Sequence, residues 1–123
     1  MSANSAPGWK QFPRHRITTR PAGVRVQVRV KGELIADTSD AVRLDEDGYH
    51  AVYYIPRKDV KMERLARSEH TSACPFKGEA SYYSIVGGPE NAVWSYEQPY
   101  DEMAVIKELL AFYPDRVDSI TSG

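Results

Sequence analysis

Cysteine is nearly absent from this chain: of its 123 residues only Cys74 is one. A single thiol closes no internal disulfide. With three scattered histidines, His15, His50 and His70, it does not make the paired-ligand spacing of a structural zinc site, so no metal is expected. Neither sign of charge prevails. Sixteen Lys and Arg face seventeen Asp and Glu, a formal net charge of -1, which leaves no electrostatic footprint for nucleic acid. No apolar run reaches the length of a membrane span, and no hydrophobic signal core opens the chain. These absences point to a soluble protein of a reducing cytoplasm, with neither nucleic acid nor membrane as partner. A chain of this length forms one domain and can bury a core without staples.

What is there alternates. Val24, Val26, Val28 and Val30 interleave with Arg25, Gln27, Arg29 and Lys31, the period-two pattern of a half-buried strand. Lys31-Gly32 turns the chain and Glu33–Asp37 returns as a hairpin arm. A short strand follows at Ala41–Asp45. Asp45-Glu46-Asp47-Gly48 could suggest magnesium, but it reads better as an exposed hairpin turn. Tyr49–Ile55 is an aromatic and β-branched strand stopped by Pro56, with Arg57-Lys58-Asp59 as a charged turn. Met62 and Leu65 leave a helical turn and an irregular strand both open. Ala80–Val86 and Asn91–Tyr96 pair across Gly87-Gly88-Pro89. Asp101 is placed to cap a helix over Glu102–Phe112, whose stripe is Met103, Ile106, Leu109 and Leu110. Val117 and Ile120 suit a last short strand. Residues 1–22 read as a flexible N-terminal arm, clipped down by Trp9, Phe12 and Ile17, and residues 23–120 as a single domain. Arg14, His15, Arg16 and Arg20 read as a solvated basic cluster, a phosphate contact being the lesser reading. The class is mainly β and antiparallel, with one helix in the C-terminal region.

The densest chemistry lies in His70–Ser84. Pro75 and Gly78 bend the chain so that Cys74 and Lys77 are presented together. In a catalytic reading Cys74 is a nucleophile, Lys77 favours its thiolate and His70 is the base. The competing reading, a small residue packed at a corner between sheets, weighs somewhat more, since lone cysteines are commonly buried and inert. In a binding reading Tyr54, Tyr82, Trp94 and Tyr96 are aromatic walls, with Lys77 and Arg57 as polar anchors. The expected site is a cleft between the Cys74–Lys77 corner and the Trp94/Tyr96 face, with Tyr54 and Arg57 at its rim.

Five motifs in order carry a family resemblance: Gly-Glu-Leu-Ile-Ala-Asp-Thr at 32–38, Tyr-Tyr-Ile-Pro-Arg-Lys-Asp-Val at 53–60, His-Thr-Ser-Ala-Cys-Pro-Phe-Lys-Gly-Glu-Ala-Ser-Tyr-Tyr at 70–83, Trp-Ser-Tyr-Glu-Gln-Pro at 94–99 and Ala-Phe-Tyr-Pro-Asp-Arg-Val at 111–117. Over about residues 24–118 the chain resembles the domain-of-unknown-function 427 family of small bacterial and fungal proteins. The resemblance implies a β-tent, two antiparallel sheets pinned at one end, similar to methionine sulfoxide reductase B and the ligand-binding domain of cereblon. The zinc of many such relatives does not carry over, because their cysteine pairs are missing here. The family also bears the label nucleotidyltransferase-like, which implies nucleotide as substrate and magnesium as cofactor. The chain has no Gly-Ser element followed by an Asp-x-Asp pair in an α/β setting to support it. Three readings stay open: a nucleotide-binding, transferase-like enzyme; a non-catalytic small-molecule or protein-interaction module; and a thiol-dependent enzyme using Cys74. A homodimer through unpaired strand edges is compatible with all three.

Overall fold

Residues 4–123 are described by a computed structural model; the part of the arm at residues 1–3 lies outside the described residues. After one helical turn, Gly8–Gln11, come ten strands: β1 Ile17–Pro21, β2 Val26–Val30, β3 Glu33–Thr38, β4 Val42–Glu46, β5 Val52–Tyr54, β6 Leu65–Cys74, β7 Gly78–Ile85, β8 Val93–Ser95, β9 Ala111–Phe112 and β10 Ser119–Ser122. They form three antiparallel sheets, β1-β4-β5, β10-β2-β3 and β6-β7-β8-β9. The mainly β, antiparallel class holds, but the layout has three sheets and not two. The reason is local. The Thr38 hydroxyl accepts from the Asp40 amide and donates to Asp59, closing a tight turn after β3. The chain therefore leaves that sheet, and β4 pairs with β1 instead.

The four-stranded sheet separates two cores. Alternation along β7 sends Tyr83 and Ile85 one way and Ala80 and Tyr82 the other. On the first side these residues, with Val93, meet Val26, Val28, Val30 and Ile35 of the β2–β3 hairpin. On the second side Ala80 and Tyr82 meet Leu44, Tyr54, Tyr96, Met103 and Ile106. The second core is the more aromatic, with Tyr54, Tyr82 and Tyr96 among its buried residues.

Two expectations change here. The helix over Glu102–Phe112 does not form. Asp101–Ile106 is 3-10 in character with a non-helical break at Met103, and no side chain caps its start. Glu108 then takes a positive φ of 65°, and Ala111 and Phe112 pair with Trp94 and Val93. The apolar stripe is buried nonetheless: Met103, Ile106 and Leu110 are all core. Backbone partners in the sheet override the modest intrinsic preference for helix. The second change is at His70–Cys74, read as a corner between sheets. It belongs to the ten-residue strand β6, and the bend is the end of one hairpin, with Cys74 opposite Gly78. Before it, Met62–Arg64 is a 3-10 turn and Leu65 begins the strand. Among the described residues no helix is long and apolar enough to cross a membrane.

Candidate functional site

The β6–β7 hairpin ends in Pro75, Phe76 and Lys77, and three contacts hold that tip. The Gly8 amide donates to the Pro75 carbonyl at 2.9 Å, and the Tyr100 amide to the Lys77 carbonyl at 2.9 Å. Gly78, at φ +122°, lies so close to Pro99 that a Cβ there would meet its Cα at 3.3 Å. Phe76 is buried beneath the segment before β1. Trp9 meets its ring edge-on at 4.7 Å, and His15 lies 4.5 Å from it. A Cβ at Gly8 would fall 2.7 Å from the Phe76 ring, so only glycine lets this segment approach.

Because the tip is held, the Lys77 side chain is directed inward, and it is only 11% exposed. An ammonium so placed needs a partner. Glu46 supplies it: Lys77 Nζ donates to Glu46 Oε1 at 2.6 Å, and His15 Nε2 meets Glu46 Oε2 at 2.8 Å. Glu46 reaches inward because it follows Val42 and Leu44 at period two on β4. His15 arrives because β1 pairs with β4 in the register Ile17↔Glu46. The segment read as an arm thus contributes a strand and, in the half-buried His15, a hydrogen-bond partner for Glu46.

The pair opens onto a cavity of about 560 Å³, within the usual range for small-molecule sites. Tyr54, Tyr82, Trp94, Tyr96 and Tyr113 line it, as do Cys74, Lys77 and Glu46. Trp94 Nε1 donates to the Tyr54 hydroxyl at 3.3 Å, and the Trp94 and Tyr113 rings are 4.4 Å apart. The Tyr82 hydroxyl shares hydrogen bonds with Ser72 and Tyr113. Burial pushes the Tyr54 and Tyr96 phenols far above their ordinary pKa, and burial with the Tyr82 hydrogen bond pushes Tyr113 up to about 12. These walls are therefore neutral at physiological pH. Tyr96 is 7% exposed, and among the described residues no hydrogen bond reaches its hydroxyl.

Six of the seven residues picked out from the sequence (Tyr54, Cys74, Lys77, Tyr82, Trp94 and Tyr96) thus border one space. Arg57 does not. Its guanidinium lies on the other face of the four-stranded sheet, bonded to Glu97, Tyr83, Ser95 and the Glu108 carbonyl. Its strand neighbours explain why: Ser81 and Ser95 are paired and face away from Tyr82 and Trp94. His70 packs edge-on to Tyr82 at 4.5 Å, and among the described residues no hydrogen bond joins Cys74 to His70 or Lys77. The lysine's charge is directed to a carboxylate and not to the thiol.

Sequence reasoning missed Glu46, His15 and Tyr113. The first was assigned to an exposed turn, although the Val42-Leu44-Glu46 alternation already put it on the inward face. No local signal marks His15. Asp45 and Asp47, beside Glu46, do stay at the outside, paired with Arg43 and Arg16. For magnesium the donors do not fit: Glu46 is the one carboxylate lining the cavity, held from both sides, and no cluster of three candidate ligands exists among the described residues.

Comparison with known proteins agrees with the motifs. Among curated proteins, none matches the chain. A family model described as a domain of unknown function (DUF427) matches residues 18–123, from β1 through β10, and the chain belongs to that family.

Proposed function

We propose that this protein binds a small, flat, uncharged or weakly polar aromatic molecule in the cavity lined by Trp94, Tyr54 and Tyr96. The observation that carries this reading is the wall itself: eight Tyr, Trp and Phe side chains line about 560 Å³, and among the described residues no hydrogen bond reaches the Tyr96 hydroxyl. Rings stack and pack edge-on against such walls, and a few convergent polar groups orient them. The Lys77 ammonium retains donors beyond the one given to Glu46, so a carbonyl on the ligand can be seated there. Because Glu46 neutralises Lys77, the cavity beside them suits a dipole better than a phosphate chain. That favours a binding module over a nucleotidyltransferase, whose metal-bound triphosphate needs carboxylates and cations in excess.

The test is a thermal-shift series on the wild type, Trp94→Ala and Lys107→Met, with indole, benzoate, adenosine and ATP with magnesium. A ligand held only by the folded state stabilises it by about 2.7 kcal/mol at a hundredfold excess over Kd. Indole or adenosine should raise the melting temperature of the wild type and of Lys107→Met, whose change lies on an exposed side chain, and leave folded Trp94→Ala unmoved. A response to ATP alone, dependent on magnesium, would favour the transferase. A normal response from Trp94→Ala would place the ligand elsewhere.

A further inference from the structure

We infer that Lys77, Glu46 and His15 form a catalytic relay in which Lys77 condenses with the carbonyl of a small aromatic aldehyde or ketone to form an imine. The inference rests on the aromatic-binding reading above and names the class of ligand for which that cavity has chemistry.

The arrangement follows the general logic of an activated nucleophile: nucleophile and base within hydrogen-bond reach, the base oriented by a third group. Lys77 Nζ is 2.6 Å from Glu46 Oε1, and the other oxygen of that carboxylate is held by His15 at 2.8 Å. All three are largely withdrawn from water, their side chains 11%, 10% and 20% exposed. A lysine that served only to bind an anion would be left unneutralised, and one that served only stability would not need to open onto an aromatic cavity. Here the ammonium and its carboxylate both line the cavity, beside Cys74, Tyr54 and Tyr96. Transfer of one proton across the short contact turns two buried charges into an amine and an acid, removing the desolvation cost of both. Buried lysines are suited to Schiff-base chemistry for this reason.

The step balances without a further reagent. Glu46 takes a proton from the Lys77 ammonium, and the free amine attacks the carbonyl carbon. A C–N bond forms, the C=O π pair moves to oxygen, and that oxygen takes the proton back from Glu46. The carbinolamine then loses its hydroxyl as water, with Glu46 relaying one proton from nitrogen to the departing oxygen, and an imine protonated on nitrogen remains beside the Glu46 carboxylate. Nothing is oxidised or reduced. His15 acts through Glu46 and is a positioning residue, fixing which oxygen faces Lys77. The aromatic walls hold the ring of the substrate with its carbonyl toward Lys77.

The probe is benzaldehyde with cyanoborohydride, which reduces any imine to a stable secondary amine, followed by peptide mapping. The intact protein has six lysines, five of them elsewhere: Lys10, Lys31, Lys58, Lys61 and Lys107. Lys77 should be the first labelled, although it is the most buried. Glu46→Gln, which keeps the shape but cannot carry the proton, should slow that labelling by about 100-fold. His15→Gln should slow it less and leave the affinity for benzyl alcohol, which fills the cavity but has no carbonyl, unchanged. Lys77→Arg should lose the site altogether. Binding of benzyl alcohol without preferential labelling of Lys77 in the wild type would overturn the relay and leave the binding reading intact. No saturable binding of benzyl alcohol, and labelling confined to the five other lysines, would overturn both.

Discussion

Each face of the four-stranded sheet is met by a glutamate bonded to two nitrogen-bearing side chains, and the surroundings of the two glutamates differ. On one face Glu97 lies between Arg57 at 3.0 Å and Arg67 at 2.7 Å, with the Tyr83 hydroxyl at 2.7 Å. The guanidinium groups reach water, Arg67 being 58% exposed, and the Ser81 and Ser95 hydroxyls complete the bonding. On the other face Glu46 lies between Lys77 and His15, nearly out of water, with only the cavity beside it. Arginine forks saturate a carboxylate and hold strands in place. A lysine ammonium is a point charge with donors to spare. Arginine, serine and solvent around Glu97 thus make a rivet, whereas around Glu46, with a lysine and aromatic rings beside it, we propose a reactive pair.

The largest expected effect separates the two networks by stability. Glu46→Ala leaves the Lys77 ammonium without its carboxylate, and breaking a buried pair from one side costs about 3–5 kcal/mol, less whatever hydration the cavity returns. Glu97→Ala should cost less, about 1–3 kcal/mol, because both arginines can turn to water. Chemical denaturation of the two variants checks the order; a greater loss from Glu97→Ala would reverse the assignment of rivet and reactive pair. A smaller effect is expected in acid. Burial raises the Glu97 pKa, but hydrogen bonds from Tyr83, Ser81 and Arg57 and the charge of Arg67 outweigh it, leaving the carboxyl below the ordinary 4.5. Its stabilisation is complete above that value and is lost as pH falls through the lower, folded value. Glu97→Gln should therefore be destabilised at neutral pH and approach the wild type below about pH 4.5. A constant difference across the acid range would mean that the ionised form contributes nothing.

The same comparison shows what could be read in advance. The Val26-Val28-Val30 alternation announces the first core, because interleaved β-branched residues have one common solution in a sheet. The aromatic walls were also legible, since Tyr82 and Trp94 sit opposite each other on paired strands. The charged partners were harder. Glu46 followed a visible alternation but was obscured by the acidic turn next to it, and His15 depends on the β1–β4 register, which no local pattern encodes. The stripe through Met103, Ile106 and Leu110 predicted burial correctly and helix wrongly. Apolar spacing reports which positions face a core, and here β8 claimed the backbone that a helix would have used. Arg57 was misplaced for a related reason: residue type suggested an anchor, but the side chain's face is set by a 3-10 turn at Arg57–Asp59 that has no period of its own.

We propose that the aromatic face, and not the arginine face, is where this protein meets a ligand. Crystals soaked with a library of small aromatic fragments test it most directly. Fragments should gather in the cavity lined by Trp94, Tyr54 and Tyr96, with a polar atom turned toward Lys77 or the Tyr96 hydroxyl. Fragments gathered instead around Arg57 and Arg67, with only water in the aromatic cavity, would contradict it.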